Sequence, residues 1–310
     1  MSTTQRTGAW RIGRLVGVDV LIRPSLLVMG AALVFLFAPR FDDRTDSNPY
    51  VLAGAFVLGL YASVLIHELA HVAVARRFRM RVHSVTLHLL GGETVIEGES
   101  RTPWQELAIS IAGPLASLAI GIVSFAVEPS TSGTTADVLH AVAQVNIIVA
   151  VFNMLPGLPL DGGRVFRAII WQVTGREDTG VRIAAWIGRA TAVALVALVL
   201  LRYRGEPSFT IDVLIAVLVA WFLWQGAGDA LRNAGRSARI NLLHARRIAD
   251  PSATAPVGTP SLSADLHGAD LLRAMAATPS ETYVLTEPDG SVFGVLTARA
   301  VDDAYRETRR

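Results

Sequence analysis

The chain has 310 residues, 52% of them hydrophobic and 17% charged, and a mean hydropathy of +0.44, which is too apolar for an ordinary soluble enzyme. Net charge is +2 and all 28 basic residues are arginine, so the basic balance reflects arginine usage and not a nucleic-acid surface. With no cysteine, disulfides and thiolate metal sites are excluded. What remains is a polytopic membrane protein, and arginine without lysine points to a GC-rich bacterial source, hence a bacterial plasma membrane.

The first eleven residues lack the apolar core and cleavage site of a signal peptide, so the first span is expected to stay in the mature protein. That span is Pro24 to Pro39, followed by a second from Tyr50 to Ala75. Arg81 to Glu99 alternates apolar and polar residues around Gly91-Gly92, which predicts a β-hairpin with a flexible turn there. Four more apolar stretches follow: Glu106 to Val127, Val138 to Leu155, Ile183 to Leu201 and Phe209 to Ala227. Most approach the ~20 residues that cross the hydrocarbon core. Residues 1–235 are therefore expected to form a transmembrane domain and 236–260 a linker, rich in Pro, Ser, Thr and Ala from Ala249 onward. The tail, 261–310, predicts helix (Ser263 to Ala276), strand (Thr282 to Thr286), a Pro288-Asp-Gly290 turn, strand (Val292 to Thr297) and helix (Ala298 to Arg306). So small a unit is near the limit at which a core stands alone, which predicts pairing with a second copy.

Arginine sets the orientation. Clusters at Arg11, Arg14 and Arg23, at Arg76, Arg77, Arg79 and Arg81, at Arg164, Arg167, Arg176 and Arg182, and at Arg232, Arg236, Arg239, Arg246 and Arg247 fall on one side of six crossings, with Arg40, Arg44, Arg202 and Arg204 as exceptions among the acidic loops opposite. The positive-inside rule puts that side, with both termini and the active site, toward the cytoplasm.

At the end of the second span stands His67-Glu-Leu-Ala-His71, directly after sixteen residues, Val51 to Ile66, without a charge. Histidines at i and i+4 sit about 40° apart around a helix axis, so both imidazoles can reach one ion. Glu68 is rotated about 100° from His67, which leaves its carboxylate free to act as a base toward water. Ionisable groups at membrane depth are costly, roughly 2.5–3.5 kcal/mol each on insertion scales, and a metal site compensates for them. His83, His88, His140 and His244 have no such partnership and are expected to be packing or surface residues.

A catalytic zinc site needs three protein ligands and an open position. Asp161 is the best candidate for the third, at the end of the fourth span in Phe152-Asn-Met-Leu-Pro-Gly-Leu-Pro-Leu-Asp-Gly-Gly-Arg164, where Pro156 and Pro159 stop the helix. An interfacial Asp in a Gly-rich turn is the other reading of that residue.

Taken together, HELAH at 67–71, Gly91-Gly92, Ala112-Gly113-Pro114 and Asn153-x-x-Pro156-x-x-Pro159-Leu-Asp161-Gly162 resemble the site-2 protease family of intramembrane zinc metalloproteases over roughly residues 10 to 230. The resemblance implies that His67, His71 and Asp161 bind one zinc ion per subunit, that Glu68 is the base and that Asn153 helps place the substrate, a membrane-anchored protein cut within its transmembrane helix. It also implies that the hairpin dips into the lipid bilayer and offers a strand edge to unwound substrate.

The tail, through Tyr283-Val-Leu-Thr-Glu-Pro-Asp-Gly290 and Val292-Phe-Gly-Val-Leu-Thr297, resembles a single CBS motif. Ala300 stands where such motifs carry a ribose-binding Asp, which argues against nucleotide binding; one motif where two normally pair favours a homodimer. The fold class expected is thus mainly α: a six-transmembrane-helix bundle with a membrane-associated β-hairpin and a small α/β CBS-like tail. The alternative function is a proteolytically inactive, zinc-containing membrane sensor or scaffold regulated through that tail.

Overall fold

The structure, a computed structural model, describes residues 8–42, 48–88, 91–97, 100–202 and 209–308. It is mainly helical and divides into two compact units, Met1–Gly228 and Asp229–Arg310.

In the first unit, strands β1 (Trp10–Leu15) and β2 (Val18–Ile22) precede helices α1 (Pro24–Phe37), α2 (Pro39–Asp42) and α3 (Pro49–Arg77). Strands β3 (Arg81–His88) and β4 (Gly91–Glu97) follow, then helices α4 (Pro103–Val127), α5 (Thr134–Asn153), α6 (Asp161–Thr174), α7 (Glu177–Arg202) and α8 (Phe209–Asn241), the last running past the unit boundary. Among the described residues, six helical segments are long and apolar enough to cross a membrane: Pro24–Phe41, Pro49–Arg77, Pro103–Ser130, Thr134–Asn153, Glu177–Arg202 and Val213–Asn241. They match the six stretches read from the sequence, and the chain is a multi-pass membrane protein.

Local chemistry starts and stops these helices. Pro24, Pro49 and Pro103 open α1, α3 and α4, where a missing N–H costs nothing. Asn48 and Thr102 cap α3 and α4 by accepting from Tyr50 N and Gln105 N. Arg76 and Arg77 close α3 against its negative dipole end.

The hairpin is present but belongs to a larger sheet. Four strands run in the order β1-β2-β3-β4, with β2 parallel to β3 and the other pairs antiparallel. The first two strands were not foreseen: Arg11, Arg14 and Asp19 interrupt their apolar pattern, and the turn between them needs positive φ at both Val16 and Gly17. Gly91 and Gly92 are not the hairpin turn. They begin β4, opposite His88 and Leu87, and residues 89–90 between the strands lie outside the described residues. The sheet packs Val18, Val82 and Val85 onto Leu65, Leu69 and Val72 of α3, and this contact sets β4 beside Glu68.

In membrane helices small residues permit close backbone approach. Helix α4 buries Ser110, Gly113, Ser117, Gly121 and Ser124, and a Cβ on Gly121 would come within 2.7 Å of Ile147 on α5.

In the second unit, α9 (Ala245–Ile248), β5 (Ser261–Ser263), α10 (Gly268–Ala277), β6 (Thr282–Thr286), β7 (Val292–Thr297) and α11 (Ala298–Glu307) form a small α/β fold. The sheet order is β5-β6-β7, over a core of Leu243, Leu262, Leu271, Tyr283, Leu285, Leu296 and Val301. The predicted strands and last helix agree with it. Ser263 ends a strand where a helix start was expected; that helix begins at Gly268.

Candidate metal centre

His67 and His71 lie one turn apart on α3, both buried, with ring centroids 4.9 Å apart. Their Nε2 atoms are 3.2 Å apart, and Asp161 Oδ2 lies 3.1 Å from that of His67 and 3.4 Å from that of His71. Among the described residues this is the one group of three or more metal-ligating side chains that converges.

The other histidines stay outside it. His83 and His88 are on β3, His140 pairs with Glu128 at 3.3 Å, and the His244 ring stacks on that of His267.

Zinc fits this triangle on two grounds. Bonds of about 2.0–2.1 Å in tetrahedral geometry set donor atoms roughly 3.3–3.4 Å apart, close to the observed separations. The donor character also agrees. His71 Nδ1–H donates to the Ile109 carbonyl at 2.6 Å, and His67 Nδ1 is hydrogen-bonded with the Ser117 hydroxyl at 2.9 Å. Both rings thus anchor Nδ1 on α4 and turn Nε2 toward the Asp161 carboxylate, the donor set and orientation that a zinc ion takes from two imidazoles and a carboxylate.

Ile109, Gly113 and Ser117 follow one another at i, i+4 and i+8 on α4, so they form one stripe facing the histidines. A Cβ on Gly113 would fall 2.5 Å from His67 Nε2 and closer still to His71 Nε2, so only glycine leaves the cradle open. Gly113 stands in the Ala112-Gly113-Pro114 motif of the sequence, whereas Ile109 and Ser117 carry no such signature.

Asp161 reaches the site from a connection held on several sides. It is the first residue of α6, a helix not anticipated from the proline- and glycine-rich segment. The Leu158 N–H donates to the Ala184 carbonyl on α7, and Leu158 and Pro159 press against Gly188 and Gly226, where a side chain would collide.

One turn beyond Asp161, Arg164 Nε donates to Glu106 Oε1 at 2.9 Å, and Arg167 pairs with the same oxygen at 2.5 Å. Glu106 is 1% exposed, and its other oxygen accepts from Ser100 Oγ at 2.6 Å. A buried carboxylate needs such partners, and these tie α6 to the helix that carries Ile109 and Ser117. The arginines counted as face charges in the sequence thus serve partly as an internal clamp.

Glu68 is buried beside the histidines but outside the donor triangle. Its Oε2 accepts from Thr94 Oγ1 of β4 at 2.6 Å, and a Cβ on Gly92 would overlap its side chain. Glycine at 92 therefore lets the strand pass against the carboxylate. A cavity of about 460 Å³ opens here, lined by His67, Glu68, Gly91, Gly92, Asn153 and Asp161 and continued by apolar side chains of α3, α5 and α8.

Known proteins resemble this chain over most of its length. The model of peptidase family M50 matches residues 55–136 and 127–195. A Synechocystis protein is 31% identical over 296 residues, covering 92% of this chain and 75% of the relative. Rip3 of Mycobacterium tuberculosis is 34% identical over 313 residues, covering 96% and 76%. Both are named as zinc metalloproteases. The solved site-2 protease of Methanocaldococcus jannaschii superposes with a TM-score of 0.52 at 26% identity, over 72% of this chain and 95% of that one. The chain belongs to peptidase family M50, the site-2 protease family of zinc metalloproteases.

Proposed function

We propose that His67, His71 and Asp161 hold one zinc ion, that Glu68 is the general base, and that Asn153 positions the substrate in an endopeptidase that cuts membrane-anchored proteins within their transmembrane segments. The observation that carries this is the closed donor triangle with a buried carboxylate, Glu68, beside it and outside it. An inactive sensor accounts for the metal but not for Glu68 and the cavity in front of it.

Bound zinc supplies Lewis acidity to a water and to the scissile carbonyl. Thr94 holds one oxygen of Glu68, leaving the other to take the proton of the attacking water and later pass it to the leaving nitrogen. The Asn153 amide, on the cavity wall at the end of α5, donates to the carbonyl oxygen as negative charge develops there. A transmembrane helix satisfies its own backbone, so substrate must unwind before a carbonyl reaches the site. Strand β4 is the sheet's edge and pairs the freed groups of the extended segment.

The same reading places the arginine-rich face, the site and both termini toward the cytoplasm of a bacterial plasma membrane. It takes the first unit as the protease domain, and the tail 261–310, together with Leu243 and α9 (Ala245–Ile248) that belong to its core and fold, as a CBS-like unit through which two copies associate without nucleotide.

The ligand assignment is tested by zinc analysis of purified Asp161→Ala. Zinc per chain is expected to fall from one toward zero under mild chelation that leaves the parent loaded. Unchanged occupancy places the third ligand elsewhere.

A further inference from the structure

Arg189 has no counterpart in the chemistry above. It lies on α7, six residues and roughly 9 Å beyond Ile183, where the fifth apolar stretch begins. Its guanidinium is stacked between two indoles, 4.9 Å from the ring centroid of Trp186 on its own helix and 4.9 Å from that of Trp224 on α8.

Stacking does not neutralise the charge. Arg164 and Arg167 are matched by Glu106 and Glu177, whereas no ion pair among the described residues involves Arg189, and its Nε is buried without a hydrogen-bond partner. A helical side chain leans toward its helix N-terminus, which brings the guanidinium level with Trp186, one turn nearer the arginine-rich membrane face. Trp224 is three residues from Ala227, at the same end of the sixth stretch. Both indoles remain open to the surroundings, Trp186 at 60% and Trp224 at 44% exposure, as expected for aromatic residues at a bilayer interface.

We propose that Arg189, Trp186 and Trp224 form a binding site for the phosphate of an anionic membrane lipid. An unmatched cation a few ångströms inside the bilayer surface, flanked by two indoles with N–H donors, fits a headgroup phosphodiester with its acyl chains lying along the apolar faces of α7 and α8. The charge selects an anionic over a zwitterionic headgroup. The site adjoins Gly188, against which the connection to Asp161 packs, so an occupying lipid braces α7 behind that connection.

Native mass spectrometry of the full chain, released from neutral detergent micelles in the presence of dioleoylphosphatidylglycerol or dioleoylphosphatidylcholine, tests the site. One phosphatidylglycerol is expected to be retained in preference to phosphatidylcholine. Arg189→Gln is expected to weaken that retention about tenfold, while Arg182→Gln, at an exposed arginine of the same helix, leaves it unchanged. Should Arg189→Gln lose its thermal unfolding transition, Arg189→Lys replaces it; keeping charge but losing the flat stacked fork, it is expected to lower retention partially. Equal retention of the two lipids, undiminished retention in both Arg189 variants, or displacement of the lipid by millimolar inorganic phosphate would each overturn the proposal.

Discussion

Glu68→Gln is expected to lower the rate of peptide cleavage by about 10²–10⁴-fold, equivalent to about 2.7–5.5 kcal/mol of transition-state stabilisation. The substitution removes the proton acceptor and little else. Gln has the same length, its carbonyl oxygen can still accept from the Thr94 hydroxyl, and it carries no Cβ branch to disturb the passage of β4 at Gly92. Zinc should remain bound, because Glu68 is not among the three converging donors. The check is single-turnover cleavage of a reconstituted transmembrane substrate alongside metal analysis of the same preparation. Activity within about threefold of the parent would remove Glu68 from the base role, since general bases contribute far more than that. Loss of zinc together with activity would make it a ligand instead.

Gly113→Ala is expected to be as damaging by a different route. The new methyl would sit 2.5 Å from His67 Nε2 and 2.7 Å from its Cδ2, in the space where the donors face one another. Helix α4 cannot easily retreat. The Ile109 carbonyl holds His71, the Ser117 hydroxyl holds His67, and Gly121 sits tightly against Ile147 and the Ala143 carbonyl of α5. The imidazoles must give way, and zinc affinity should fall at least about 100-fold, the upper range for disturbing groups that orient metal ligands. Gly54→Ala on α3 is the matched control: a Cβ there meets nothing within 4 Å, and the change should leave zinc affinity intact. Competition with a chromophoric chelator measures both. Parent-like affinity in Gly113→Ala would mean that α4 does not confine the site as described.

The difference between what the sequence disclosed and what it hid follows from how each residue contributes. His67, Glu68 and His71 were legible as candidates because the proposed chemistry resides in side-chain identity and their offsets along a helix fix their relative directions. Asp161 was legible as a candidate because a carboxylate after an apolar run invites explanation, but the helix it begins was not. Pro156, Pro159, Gly162 and Gly163 read as a turn, whereas Gly162 and Gly163 are the second and third residues of α6 and pack where any Cβ would strike the preceding connection.

The role of α4 was harder still to see. Ile109 acts through its backbone carbonyl, which every residue has, and Ser117 and Gly113 are of the small type that ordinary helix packing in membranes also selects. Their spacing at i, i+4 and i+8 was the available signal, and it gains meaning only once another helix is known to face it. Strands β1 and β2 were hidden because their charged residues broke the alternation.

The account stands on one claim: that two imidazoles of α3 and the carboxylate at the start of α6 share a single zinc ion. The direct measurement is diffraction from crystals of the full chain at wavelengths on either side of the zinc edge, which locates the ion independently of its ligands. The account predicts one anomalous peak at about 2.0–2.2 Å from His67 Nε2, His71 Nε2 and an Asp161 carboxylate oxygen. A peak bound by the histidines with Asp161 beyond coordinating distance, or a zinc site formed by other residues, would contradict it.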